Sequence, residues 1–251
     1  MIYITGDCHS DFRRFHKKIF TEQKQMTKDD FVIVCGDFGG VWNKGGESKE
    51  EKNKLDWLEA RPFTTLFVCG NHENFDRLYE YPVEEWHGGK VHKIRPSVIH
   101  LMRGQVYDIE GAKFFTFGGA SSHDIGGGIL ELDDPNFRLK KRRLDREGSL
   151  YRVNHLSWWK EELPSEEEME AGRKNLELNG NKVDFIVTHC CASGIQKILG
   201  GSGYEEDILT DYLEEIRQNT EYTKWFFGHY HYCSNVTDKE ILLYEQIIRI
   251  H

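Results

Sequence analysis

An α/β sandwich with mixed sheets is the fold the sequence predicts, on three observations. Short apolar runs recur and each ends in a polar cluster; helix-like segments separate the early runs; and the middle of the chain sets three strand-like runs too close together for helices between them. The first set comprises IYIT before GDCH, FVIV before CGDFGG, TTLFV before CGNHE, DFIV before THCC and KWFF before GHYHY. Strands buried on both faces read as continuous apolar runs, and in α/β folds the loops at their carboxyl ends form the binding crevice. Five polar clusters are therefore expected on one rim.

The remaining elements follow in order. Helices are expected from Asp11 to Gln25, from Ser48 to Ala60 and from Glu205 to Gln218, between or after the strand-like runs. VIHLM, QVYDI and AKFFTF succeed one another as antiparallel strands, which makes the sheet system mixed. From Ser121 to Asn181 the pattern turns helical and charged and predicts a long insertion over the rim. Within it Asp134 and Pro135 suit a helix start, and Ser165 with Glu168 forms an S-x-x-E capping box. The tail, Asn235 to Thr237, then Asp238-Lys239-Glu240, then ILLYEQIIRI, reads as a hairpin closing the sheet. At 251 residues, with no repeat or low-complexity linker, the whole of 1–251 is expected to form one domain, with 121–181 as its insertion.

Composition removes several classes of function. No apolar stretch approaches the roughly 20 residues a bilayer span needs, so a membrane protein is excluded. The N-terminus, MIYITGDCHS, starts a strand at once without a basic segment or cleavage site, so secretion is not expected and the cytoplasm is. A net charge of −9 repels polyanions at long range and argues against non-specific nucleic-acid binding. The six cysteines show no C-x-x-C spacing and each lies near a strand end, which suits small buried hydrophobes in a reducing compartment.

The chemistry lies in the polar clusters. Asp7 and His9 are two residues apart at a strand end, so their side chains share a side. Asp37 follows a second apolar strand, Asn71 and His72 a third, His189 a fourth, and His229 and His231 a fifth. One such histidine is commonly a packed residue, but repetition after successive strands points to a shared metal site. Mixed nitrogen and oxygen donors without thiolate suit manganese, iron or zinc better than calcium or copper(I).

GDCH, GDFGG, GNHE, THC and GHYH, in this order from Gly6 to His231, resemble the signature of the calcineurin-like metallophosphoesterase family. The resemblance implies a four-layer sandwich, two mixed sheets flanked by helices, with the metal site on loops at one sheet edge. It also implies that Asp7, His9, Asp37 and His231 hold one divalent transition-metal ion and Asp37, Asn71, His189 and His229 the other, Asp37 bridging. Manganese is the expected metal, with iron, zinc, nickel or cobalt able to use the same donors. A shared carboxylate lowers the repulsion between two cations about 3.5–4 Å apart, and water between them ionises near neutral pH to a hydroxide that can attack phosphorus. His72, not needed as a ligand, is by the family pattern the general acid for the departing alkoxide.

Protein serine/threonine phosphatases of this family carry a GD-x-x-DRG pattern, whereas this chain reads Gly36-Asp37-Phe38-Gly39-Gly40-Val41. The aspartate expected at Gly40 and the phosphate-gripping arginine after it are both missing. GHYH instead resembles the phosphodiesterase and small-molecule branches, so the expected substrate is a small phosphodiester or phosphomonoester, nucleotide-derived compounds included. GNHENFDRLYEYPVEEWHGGKV, HLMRGQVYDIEG, FTFGGASSHD and SWWKEELPSEEE also look like a bacterial and phage subgroup. A protein phosphatase, a nuclease acting on nucleic acid and a non-catalytic binding scaffold are the competing functions. Three features stand without a spacing argument: the basic run Arg138 to Arg143, read first as a solvated helix face; Arg103 and Arg152, capable of gripping phosphate; and Trp158-Trp159, read first as core.

Overall fold

Ile2 and Ile4 of strand β1 (Ile2–Thr5) face one core while Tyr3 faces another, as alternation along a strand requires. That split defines the layers of the computed structural model, which describes residues 1–200 and 205–250; residues 201–204 and 251 lie outside it. The first sheet contains β1, β2 (Phe31–Val34), β3 (Thr64–Phe67), β4 (Val83–Trp86), β5 (Gly89–Arg95) and β6 (Val98–Leu101). The second is built from β7 (Gln105–Ile109) and β8 (Ala112–Phe117). After a two-stranded ribbon of β9 (Ile129–Leu130) and β10 (Arg152–Val153), it continues with β11 (Phe185–Thr188), β12 (Lys224–Phe227), β13 (Ser234–Asn235) and β14 (Glu240–Leu242). The last strand, β15 (Ile247–Arg249), returns to the first sheet.

The spatial orders are β15-β1-β2-β3-β6-β5-β4 and β13-β14-β12-β11-β8-β7. β1, β2, β3 and β6 run parallel, as do β8, β11, β12 and β14; β4, β5, β7, β13 and β15 pair antiparallel, so both sheets are mixed as expected. Between the sheets, Ile2, Ile4, Ile33 and Leu66 meet Phe114, Val187 and Phe226, all buried. Helix α1 (Lys49–Glu59) covers the outer face of the first sheet through Leu55 and Leu58. The short α2 (Phe75–Leu78) follows the third strand, and α3 (Phe137–Glu147) stands on the β9–β10 ribbon. On the outer face of the second sheet lie α4 (Glu166–Leu178), α5 (Ser193–Gly200) and α6 (Ile208–Asn219). The result is the four-layer sandwich. Among the described residues no helix is long and apolar enough to cross a membrane.

Local chemistry explains where the elements start. Ser48 caps α1, its hydroxyl accepting from the Glu51 N–H while the Glu51 carboxylate accepts from the Ser48 N–H; Ser165 and Glu168 do the same for α4. Three expectations are corrected. Residues 11–25 form two short 3₁₀ turns, not a helix: Phe12, Phe15, Phe20 and Gln23 are buried at spacings that suit one helical face, but the backbone is extended at His16 (φ −70°, ψ 139°) and non-helical again at Phe20 (φ −96°, ψ 83°). The Gln23 amide instead donates to the carbonyls of Phe15 and Phe20. VIHLM does not join QVYDI and AKFFTF: β6 lies in the first sheet, parallel to β3, while β7 and β8 form a hairpin in the second. The expected tail hairpin is present, Ser234 and Asn235 of β13 pairing antiparallel with Leu242 and Ile241 of β14, but ILLYEQIIRI does not run on as one strand: it is shared between β14 and β15, and the crossing chain passes so close to Gly6 that a Cβ there would stand 2.2 Å from the Leu243 carbonyl oxygen.

The segment from Ser121 onward is less helical than expected. It holds α3, the ribbon and a 3₁₀ turn (Lys160–Glu162), and α4 beyond it packs on the second sheet through Met169 and Leu176. Cys8, Cys35, Cys69, Cys190 and Cys191 are buried, and burial holds each thiol well protonated, Cys69 at about 11 and Cys8 at about 12.

Candidate metal centre

β1, β2 and β3 of one sheet and β11 and β12 of the other release their carboxyl-end loops toward each other, and every expected site residue sits on one of those loops. The turns are tight. His9, Asp37, His229 and His231 all take positive φ, at 46°, 42°, 71° and 55°, a left-handed conformation that costs a side-chain-bearing residue energy and recurs where function fixes the backbone. The loops also brace one another. The N–H groups of Cys8 and His9 donate to the Asp37 carbonyl, the His229 N–H to the Asp7 carboxylate, and the His72 N–H to Asp37 Oδ1 at 2.8 Å. Such close packing excludes side chains: a Cβ on Gly228 would lie 2.0 Å from Asp7 Oδ1, and one on Gly70 2.0 Å from Asp37 Oδ1.

Donor atoms of Asp7, His9, Asp37 and His231 all lie within 4.8 Å of one another. His9 Nε2 stands 3.0 Å from His231 Nε2, and His231 Nε2 3.2 Å from Asp7 Oδ2. Two ligand atoms each about 2.1 Å from one transition-metal ion and at right angles stand about 3.0 Å apart, so these separations fit a shared cation. On the other side of Asp37, His189 Nε2 lies 3.4 Å from Asp37 Oδ1 and 3.2 Å from Asn71 Oδ1. His229 completes that side, its ring centroid 5.0 Å from that of His189. The chain thus brings all seven expected donors together, with the Asp37 carboxylate between the two groups.

The electrostatics favour positive charge here. Asp7 and Asp37 are buried. Although burial opposes it, the Asp37 and Asp7 carboxylates raise the buried His189 imidazole to about 9. His231 is raised by its bond to Asp7, whereas desolvation lowers His9, and desolvation with the nearby His189 lowers His229. Asp37 is held well below the usual carboxylate range: burial pushes it up, and the surrounding histidines more than offset that. Glu73, buried beneath the Asp37 turn and accepting the Phe38 N–H at 2.8 Å, is pushed by burial and by Asp37 to about 8.

His72 stands at the edge of the group, half-buried, its ring facing those of His9 and Trp42. Its Nε2 is 3.3 Å from Arg152 Nη2, and burial lowers its pKa. Arg152, His123 and Asp124 share with Asp37, His229 and His231 a cavity of about 340 Å³. His123 Nε2 lies 2.9 Å from His229 Nε2. A second line of support reaches Asn71: its Nδ2 donates to Ser122 Oγ at 3.3 Å, and that hydroxyl donates to Glu162 Oε2 at 2.7 Å, which leaves Asn71 Oδ1 turned toward His189. His123, Asp124, Ser122 and Glu162 escaped the sequence analysis. One signal was available, since GGASSHD follows the apolar run AKFFTF as the other polar clusters follow theirs.

The remaining features lie away from the centre. Arg103 is buried, donating to the carbonyls of Gly118, Glu161 and Glu162 and pairing with Glu168 at 3.1 Å. Trp159 is core, its Nε1 donating to Asp76. On α3 the basic run is exposed, with Lys140, Lys141 and Arg143 paired to Asp134, Asp145 and Glu147.

Comparison with known proteins bears on the chain as a whole. Lariat debranching enzyme A of Xenopus laevis is 27% identical over 143 residues, covering 52% of this chain and 26% of that protein. The human lariat debranching enzyme is 20% identical over 92% of this chain and 42% of its own length, and the Arabidopsis thaliana one 35% identical over 34% and 23%. The chain therefore spans less than half the length of these relatives. A family model described as calcineurin-like phosphoesterase matches residues 1–233, and the chain belongs to that family.

Proposed function

We propose that the whole chain acts as one domain, a metal-dependent phosphoesterase that favours diesters. Asp7, His9, Asp37 and His231 would hold one divalent ion and Asp37, Asn71, His189 and His229 a second. The observation that carries this reading is the convergence of six further oxygen- and nitrogen-bearing side chains on the buried Asp37 carboxylate, Asp7, His9 and His231 on one side of it and Asn71, His189 and His229 on the other. When bound, such a pair supplies charge to a phosphoryl group and lowers the pH at which water becomes a nucleophile. Manganese is our preferred metal; iron, zinc, nickel and cobalt accept the same donors.

The chain's own groups divide the remaining work. Asp37 would supply the full negative charge that offsets the repulsion between two such cations. Asn71 and His189 are fixed by Ser122 and by the Cys35 carbonyl, so neither must reorganise when substrate arrives. His72 faces the same cavity and gives a proton to the departing oxygen; an anionic phosphate beside it favours the imidazolium that this step needs. The cleft runs on past His9 and Trp42 to Lys54 on α1, giving a second substituent on phosphorus somewhere to lie. The buried thiols suit the reducing cytoplasm we take as its setting.

A second reading, cleavage of a diester within a larger branched substrate, is favoured by relatives whose name describes the debranching of lariats. Manganese-loaded protein should be assayed on bis(p-nitrophenyl) phosphate, p-nitrophenyl phosphate, cyclic nucleotides, labelled oligonucleotides and phosphoserine peptide. Turnover of the diester above the monoester supports the proposal. Peptide dephosphorylation with the diester inert would make it a protein phosphatase, and inertness toward all substrates would leave a binding scaffold.

A further inference from the structure

The GD-x-x-DRG arginine that grips phosphate in part of the family is replaced here by Val41, which is buried. Another guanidinium enters the cavity from a different direction. Arg152, on β10 of the insertion, is itself almost wholly buried. Its Nε donates to both carboxylate oxygens of Asp124 at 2.8 and 2.9 Å, and its Nη1 donates to the Ser157 carbonyl at 2.9 Å. Nη2 is turned toward His72 Nε2, in the cavity that Asp37, Asn71 and His229 also line. Asp124, Ser157 and His72 therefore fix one cationic fork in the cavity that the candidate metal donors line.

Electrostatics says what belongs between them. A guanidinium cannot lose its charge, and a permanent cation facing a centre built to hold dications is repelled unless an anion separates them. Asp124 offsets part of the charge through its pair with Nε, which leaves Nη2 facing the cavity. The guanidinium has more N–H groups than Asp124, Ser157 and His72 use, and its planar fork matches the oxygens of a phosphoryl group.

We infer that Arg152 is the phosphate-binding arginine of this chain, held in place by Asp124 and gripping the non-bridging oxygens of the substrate's phosphoryl group on the side away from the metals. The inference rests on the phosphoesterase reading. It assigns the β9–β10 ribbon a task, which is to carry an arginine into a cavity that the centre's own loops line without one. Engagement of phosphate by Nη2 also frees His72 Nε2 from the guanidinium.

The test measures inorganic phosphate binding to manganese-loaded protein by calorimetry, with metal content and kcat and KM on bis(p-nitrophenyl) phosphate. Arg152→Ala should keep its metals and bind phosphate about ten- to a hundredfold more weakly, the range for a charge-assisted hydrogen bond. Arg152→Lys should recover part of the affinity, and added guanidinium chloride should restore turnover to Arg152→Ala, a rescue that a purely structural role would not give. If Arg152→Ala does not fold, Asp124→Asn, which keeps the guanidinium but loosens its anchor, should show a smaller loss of phosphate affinity. Unchanged phosphate affinity in a metal-replete Arg152→Ala, or in Asp124→Asn where that variant stands in, would overturn the inference, as would loss of metals from both Arg152 variants. Absence of any hydrolysis by the parent would overturn the phosphoesterase reading itself.

Discussion

His189 Nδ1 donates to the backbone carbonyl of Cys35 at 2.8 Å, joining the loop after β11 to the end of β2 across the two sheets. That bond fixes the ring so that Nε2, not Nδ1, faces Asp37 and Asn71. It also means that any proton on Nε2 competes directly with a metal ion.

Metal affinity should therefore rise with pH through the neutral range. His189 and His231 are both raised in the folded protein, so below the raised value each carries a proton that a cation must displace. Affinity should climb by about tenfold per pH unit for each proton released, until His189 is neutral above about 9. Calorimetric titration with manganese in buffers of different ionisation heat counts the protons; a binding heat independent of buffer at pH 7 would contradict the assignment of these histidines.

The Glu162–Ser122–Asn71 chain predicts a selective defect. Ser122→Ala removes the acceptor for Asn71 Nδ2 and frees the amide to rotate, while leaving Asp7, His9 and His231 untouched. Loss of such an orienting partner typically weakens metal binding by about 10- to 100-fold. Only one of the two ions should be lost at limiting manganese, as read by elemental analysis; an unaltered stoichiometry would remove Ser122 from the metal centre.

Glu51 predicts a stability effect at low pH. Its carboxylate accepts the N–H groups of Trp42, Asn43 and Ser48 and pairs with the buried Arg77 at 3.0 Å. Burial raises its pKa, yet these N–H donors outweigh that and hold it below the ordinary glutamate value. A carboxylate lowered in the folded state contributes stability that is complete above its unfolded pKa, about 4.3, and is lost as pH falls through the folded value. Glu51→Ala should lower stability by about 3–5 kcal/mol at pH 7, since it strands a buried guanidinium, and the difference from the parent should shrink below about pH 4. Urea unfolding at both pH values measures it.

How much of this was legible in the sequence depended on whether a residue follows a strand. Asp7, Asp37, Asn71, His189 and His229 each follow a buried run, so the alternation of apolar run and polar cluster marks them as candidates in the sequence alone. Arg152 reaches the cavity from a ribbon of two-residue strands, and Glu162 supports Asn71 through Ser122 from a 3₁₀ turn, elements too short to leave a periodic trace. The tail hairpin is legible in the same way, but the end of its last strand is not. ILLYEQIIRI has one continuous β-type composition, and its division between two sheets is set by the close crossing over Gly6, a contact between residues more than two hundred positions apart.

The last prediction separates His72 from the donors around it. His72 lies in the cavity with its imidazole facing Arg152, Trp42 and His9, while its backbone N–H donates to Asp37. His72→Asn should therefore retain both metals. Loss of a positioned proton donor typically costs about 10²- to 10⁴-fold in rate, and the cost should shrink for p-nitrophenolate, which departs without a proton. Asp37→Asn should behave in the opposite way, because a neutral amide cannot offset the repulsion between two dications and metal binding itself should fail. Metal content and kcat for both variants, on an alkyl ester and a p-nitrophenyl ester, distinguish the two roles. If His72→Asn loses metal, or hydrolyses the alkyl ester at the parent rate, His72 is not the acid, and the neighbouring His123, which stands 2.9 Å from His229, becomes the next side chain to test.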